Sequence, residues 1–176
     1  MRISVVAGLV LAFLLPLASA SASSIDDPLW ESERWPKNTV TTNPLGMALG
    51  IFNLEYERAV SDRVSIYGGP SYFGLGVDDT SIDAFGIDAG ARFFVSGQAP
   101  EGFFLSPGVG VAHVSATGSD SVIGWTASAL FGYTWLFDRA FALSLGFGGS
   151  YFNMKVEESG IRGFMPSLRA SIGAAF

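Results

Sequence analysis

Residues 122–152 read VIGWTASALFGYTWLFDRAFALSLGFGGSYF and carry one period twice. Every second residue from Ile123 is Ile123, Trp125, Ala127, Ala129, Phe131, Tyr133 and Trp135, with Gly124, Thr126, Ser128, Gly132 and Thr134 between them. Past Asp138-Arg139 the alternation resumes as Phe141, Leu143, Leu145, Phe147, Gly149 and Tyr151 against Ala142, Ser144, Gly146, Gly148 and Ser150. A period of two belongs to a β-strand, whose side chains point to opposite faces in turn, so the stretch is two strands joined by a turn. Each is about 13 to 16 residues long, against a usual length of about 5 or 6 in soluble sheets.

Strands that cross a bilayer turn apolar side chains outward to lipid, keep small and polar ones inside, and set aromatic rings at both interfaces. Trp125 and Trp135 are ten residues apart. At about 3.3 Å per residue and a tilt of about 40°, they lie about 25 Å apart along the membrane normal, the height of the apolar band of such a barrel. Phe141 and Tyr151 repeat the interval, and with Tyr133 these residues form the expected aromatic girdle.

Composition agrees. The 176 residues suffice for one domain, and they include 22 Gly and 15 Phe with only 15% charged residues. Small residues let a narrow lumen close, and Phe suits a lipid-facing wall. The longest apolar run, Val5 to Leu17, follows Arg2 and leads into Ala18-Ser19-Ala20-Ser21-Ala22. It is too short to span a bilayer as a helix and has the charged start, apolar middle and small-residue end of a secretory signal, with cleavage expected after Ala20 or Ala22. The chain has no Cys, which excludes a disulfide framework and a lipid-modified N-terminal cysteine. Without Arg2, nine basic residues face sixteen acidic ones, so nucleic-acid binding has no electrostatic support.

Three regions are expected: a signal peptide at 1–22, a periplasmic tail at 23–37 carrying Trp30 and Trp35, and an outer-membrane barrel at 38–176. Strands are expected at Asn38–Leu45, Gly50–Val60, Arg63–Leu75, Asp83–Val95 and Phe103–Ala116, then the two opening strands, then Ile161–Phe176. The first is the weakest, because Pro44 removes a ladder donor, and Gly46–Leu49 is expected as a tight bend. It is nevertheless required, since an up-and-down bacterial barrel has an even strand number and both termini on one side. The predicted fold is therefore all-β, an eight-stranded antiparallel up-and-down transmembrane β-barrel. Side chains fill a lumen of that width, which argues against an aqueous pore.

The last strand alternates Ala170, Ile172, Ala174 and ends in Phe176, which resembles the signal read by the barrel assembly machinery. The whole mature chain resembles small eight-stranded outer-membrane barrels of the OmpX and OmpA transmembrane-domain type from Gram-negative bacteria. Thr41-Thr42-Asn43-Pro44-Leu45, followed by Phe52-Asn53-Leu54-Glu55-Tyr56-Glu57, is similar to the start of a broad group of uncharacterised bacterial barrels. The resemblance implies contact with outer-membrane lipids and lipopolysaccharide, passage through the assembly machinery, and a monomer. No cofactor is implied.

Parity turns Glu55, Glu57, Asp88, Arg92 and Arg169 inward. Charges inside a narrow barrel need partners, so these five are expected to form a lumen network. His113 and Ser115 share the outward row of Val109 and Val111, and His-x-Ser resembles the motif of lipid A 3-O-deacylases of the PagL type. In that family a Glu about a dozen residues beyond the Ser orients the histidine. Here position 127 is Ala, and Asp120 is the only local substitute, so His113 is read first as an amphipathic residue beside the aromatic belt. Asp78, Asp79 and Asp83 offer oxygen ligands to a hard cation, but the spacing is ordinary for a solvated loop and no metal site is assigned.

The expected function is that of a non-enzymatic outer-membrane barrel with a structural or surface-interaction role. The alternatives are an outer-leaflet hydrolase using Ser115 and His113, a narrow channel, and a soluble lipocalin-like barrel. The last would leave Trp135, Phe141 and Leu143 facing water.

Overall fold

The computed structural model describes residues 35–77, 80–118, 121–154 and 161–176. The expected signal segment, the tail up to position 34 with Trp30, and Asp78, Asp79 and Asp120 lie outside the described residues.

The elements follow the alternation of the sequence. They are β1 (Asn38–Thr42), α1 (Pro44–Ala48), β2 (Ile51–Asn53), β3 (Glu55–Ser61), β4 (Val64–Val77), β5 (Thr80–Phe94), β6 (Gly102–Ala116), β7 (Val122–Phe137), β8 (Phe141–Met154) and β9 (Ile161–Ala175). From β3 to β9 each strand pairs antiparallel with the next, and β1 pairs with both β9 and β3, so the sheet closes on itself. The segments β2 and β3 occupy one position in the wall, because Ile51↔Phe73 and Tyr56↔Gly68 belong to a single register with β4. The interruption falls at Leu54, whose N–H donates to the Pro70 carbonyl at 3.1 Å. Proline has no N–H to return, so the ladder skips one bond there. The wall is thus an eight-stranded antiparallel barrel.

The longest strand has 16 residues. At about 3.3 Å per residue and a tilt of about 40° it rises about 40 Å, more than the apolar band needs, so both ends of the wall emerge from it. Between β7 and β8 the turn is two residues long, with Asp138 and Arg139 at φ 51° and 57°. Left-handed conformation at both central positions matches the right-handed twist of the flanking strands.

Burial runs opposite to that of a soluble protein. Ile66, Phe85, Ile87, Leu105, Val109, Phe147, Phe164 and Leu168 are all exposed, whereas Ser65, Glu57, Arg92, Ser106, Thr134 and Ser144 are buried. Outward rings form a ladder across β6, β7 and β8: Phe103 stacks on Phe131 at 5.7 Å between centroids, Phe131 meets Phe147 at 5.8 Å, and Phe103 meets Tyr133 at 4.6 Å. The expected girdle residues pair at the two ends of these strands, Trp125 with Tyr151 at 5.6 Å, Tyr133 with Trp135 at 4.7 Å, and Phe141 with Phe137 at 6.0 Å.

One expectation needs correction. The first strand stops at Thr42, and the stretch expected as the strand's end and a tight bend is a short helix. Asn43 caps it, its side-chain Oδ1 accepting the Gly46 N–H at 3.0 Å. Pro44 takes the first helical turn, where its missing N–H costs nothing. Gly50, at φ 78°, returns the chain to extended geometry in a conformation that favours glycine.

Candidate functional site

The alternation that turns Phe52 and Tyr56 outward sends Glu55 and Glu57 into the lumen, where both are buried. Two strands away on either side, β5 carries Arg92 inward and β9 carries Arg169. Arg92 Nη2 lies 2.6 Å from Glu55 Oε1, and its Nη1 bonds Glu57 Oε2. Arg169 Nη1 reaches the other oxygen of Glu55 at 2.8 Å. The Ser65 hydroxyl donates to Glu57 Oε1, and the Thr39 hydroxyl donates to Oε2 at 3.5 Å. Buried charges are tolerated where opposite charges and hydrogen bonds surround them, and each carboxylate here has at least two partners.

Aromatic rings complete the plug. The Arg92 guanidinium sits 4.9 Å from the centroid of the Tyr67 ring and 5.1 Å from that of Phe104, while Arg169 lies 5.4 Å from Tyr67. Tyr67 therefore lies against both cations. It has room because Gly90 and Gly108 carry no side chain: a Cβ at either position would meet the Tyr67 hydroxyl. Toward the end that carries Trp35 and Phe176, Phe104 packs edge-on to Phe94 at 6.0 Å, with Ala99 beside them.

That end is drawn together by Trp35. Its indole Nε1 donates to the Ala99 carbonyl at 3.1 Å, and Arg139 lies 5.7 Å from the ring centroid. Trp35, Lys37, Ala59, Asp62, Gln98 and Ala99 border a cavity of about 80 Å³. The Phe176 carbonyl accepts from the N–H groups of Lys37 and Asn38 at 3.2 and 2.9 Å, so the last residue closes the barrel against the first strand.

Four of the five expected lumen charges are joined. Asp88 is not: it lies in the inward row of β5, four residues from Arg92 toward the far end, with no ion pair or hydrogen bond among the described residues. Ser65, Thr39, Tyr67 and Phe104 belong to the site without having been singled out from the sequence. Only Phe104 follows from the alternation of its strand; the facing of Arg63–Leu75, which holds Ser65 and Tyr67, is ambiguous in the sequence, and the alternation around Thr39 is poor.

His113 is exposed in the outward row of β6, with Phe85 and Ile123 as its cross-strand partners. It makes no hydrogen bond to Ser115 or to an acid among the described residues. Ser115 lies opposite Asp83 in the β5–β6 register, but the Asp83 carboxylate accepts the Tyr72 hydroxyl at 2.6 Å. No acid–histidine–serine relay is assembled among these residues.

A closed eight-stranded barrel, apolar outside and plugged by ion pairs within, is a small β-barrel of the transmembrane class. The chain belongs to the family described as "Protein of unknown function (DUF3575)", whose model matches residues 11–162. Among solved structures, Ail, the attachment invasion locus protein of Yersinia pestis, is similar at 14% identity with a TM-score of 0.45, the match covering 81% of this chain and 100% of that one. None of the curated proteins matches the sequence.

Proposed function

We propose that this chain is an integral outer-membrane barrel whose role is structural or surface-interacting rather than catalytic. On this reading residues 1–22 are a secretory signal cleaved after Ala20 or Ala22, the end with both termini faces the periplasm, and Trp125 and Tyr151 sit toward the cell surface. The partners are outer-membrane lipids, lipopolysaccharide and, during biogenesis, the assembly machinery that reads the terminal Phe176.

The observation that carries this reading is the contrast between wall and lumen. Phe147 and Phe164 are 63% and 75% exposed while Glu57 and Arg92 are 1% and 2% exposed. In water this arrangement would expose an apolar surface far larger than a soluble monomer keeps and bury charge at a cost; in lipid both faces are matched to their surroundings. The plug of Arg92, Glu55, Glu57 and Tyr67 supports a barrel that does not conduct. The protein is expected in the detergent-extracted membrane fraction, migrating faster on a gel unheated than boiled, and giving no stable single-channel current in planar bilayers. Recovery in the soluble fraction would refute the membrane reading; a stable current would refute the plug.

A further inference from the structure

The wall is complete at one end and notched at the other. Strand β1 ends at Thr42, where it pairs with Ile172, and above that level β9 has no strand partner on its β1 side among the described residues. From Ile172 up to Ile161 is about 36 Å of strand, or about 28 Å along the normal at a tilt of about 40°. What stands in the gap is α1, which makes contact with β9. Five residues of helix rise about 7.5 Å where five of strand rise about 16 Å, so α1 fills the foot of the notch and not its height.

The open edge carries backbone groups that lipid cannot satisfy. Phe176 exchanges hydrogen bonds with Asn38 of β1, whereas the Ala175 N–H donates to Ala140 on the other side. The alternation therefore aims the backbone of Ala170, Leu168, Pro166 and Phe164 into the notch. Ala170 is only 6% exposed, beneath the level that α1 reaches, while Leu168 and Phe164 above it are strongly exposed. Pro166 has no N–H, which makes this edge a poor template for an added strand and disfavours a peptide or a second copy as its occupant.

Inside the notch the inward rows carry hydroxyls and exposed positions. Ser167 and Met165 share the inward row of β9, Ser167 bonds the Ser150 hydroxyl at 2.7 Å, and Gly148 is exposed although its row faces inward. At the floor, the Arg169 side chain is 22% exposed and uses only Nη1 on Glu55. Among the described residues Asp88 makes no ion pair or hydrogen bond, and it stands in the inward row of β5, facing the lumen that Arg169 also enters. One carboxylate without an ion pair among the described residues and one accessible guanidinium, both facing the same lumen, are complementary to a zwitterion.

We propose that the α1-filled notch is a lateral entrance through which a zwitterionic phospholipid places its head in the lumen, phosphate toward Arg169 and ammonium toward Asp88. Its acyl chains remain outside, between Phe164 and Leu168 of β9 and the exposed Leu45 and Leu49 of the α1 segment. This rests on the membrane reading above, and the test separates the two.

A photo-crosslinking amino acid is placed singly at the outward positions Phe164 and Leu168 and at the inward positions Met165 and Ser167. Each barrel, checked for heat-modifiable migration, is reconstituted in vesicles of equal phosphatidylethanolamine and phosphatidylglycerol. Outward positions are expected to capture both lipids, and inward positions to capture phosphatidylethanolamine at least tenfold over phosphatidylglycerol. Asp88→Asn is expected to bring that ratio to near one. As a measurement free of the crosslinker, native mass spectrometry of the wild-type barrel is expected to retain one phosphatidylethanolamine, lost in Asp88→Asn. Capture at outward positions alone, or inward capture without headgroup preference, overturns the entrance. Capture at neither set removes the membrane reading and the entrance with it.

Discussion

Arg92→Met tests whether the lumen is held by its ion network or merely filled. Arg92 bonds two buried carboxylates and lies over two rings. Its loss leaves Glu55 with Arg169 but strands Glu57 on the hydroxyls of Ser65 and Thr39. Breaking a buried pair costs about 3–5 kcal/mol, chiefly because one charge is left without its counter-charge. Since only one carboxylate is stranded, about 4 kcal/mol is expected, near a thousandfold in the folding equilibrium at about 1.4 kcal/mol per decade. Two companions sharpen the test. Glu57→Gln added to Arg92→Met removes the stranded charge and is expected to recover about 2 kcal/mol, the cost of one charged group without its hydrogen bonds. Arg169→Gln breaks one bond at a side chain 22% exposed and leaves Glu55 on Arg92, so about 1 kcal/mol is expected. Urea titration of folding into lipid vesicles, followed by tryptophan fluorescence and heat-modifiable migration, reads all three. If Arg92→Met lies within about 0.5 kcal/mol of the native chain, or Arg169→Gln costs as much as Arg92→Met, the network does not carry the lumen.

Other perturbations separate wall, lumen and notch. Phe147→Arg puts a charge midway along β8, at the end of the exposed aromatic ladder, and is expected to cost about 2–4 kcal/mol of folding into vesicles; a neutral result would argue that this face does not meet hydrocarbon. Gly90→Ala drives a Cβ into the Tyr67 hydroxyl and the Pro107 carbonyl and is expected to cost about 1–3 kcal/mol, whereas Gly76→Ala, with nothing within 4 Å of its Cβ, should stay within about 0.5 kcal/mol. Equal effects at the two glycines would show that Tyr67 is not confined. Asn43→Ala removes the acceptor for the Gly46 N–H and is expected to cost α1 about 1 kcal/mol, seen as several-fold faster amide exchange over residues 44–49; unchanged exchange would remove the cap from the account.

How far the sequence reached is clearest in three places. In Val122–Phe152 every facing could be read off, because the period of two acts residue by residue and a small, polar or aromatic choice at each step reports its surroundings. The wall's count of eight also followed, from an even strand number with both termini expected on one side. Around Pro44 the same reasoning failed: a poor alternation was completed as a strand, where Asn43 and Pro44 instead start a helix whose length shows only against β9. In the lumen, inward parity named Glu55, Glu57, Arg92 and Arg169, but parity carries no register. That Arg92 rather than Arg169 takes both glutamates, that Asp88 is left alone, and that Tyr67 lies against both guanidiniums depend on the strand stagger around a closed cylinder. Alternation along one strand is a local property, written into neighbouring residues and legible from them. Which side chains meet across the lumen is set by closure, a condition on all the strands at once, and only the tertiary structure decides it.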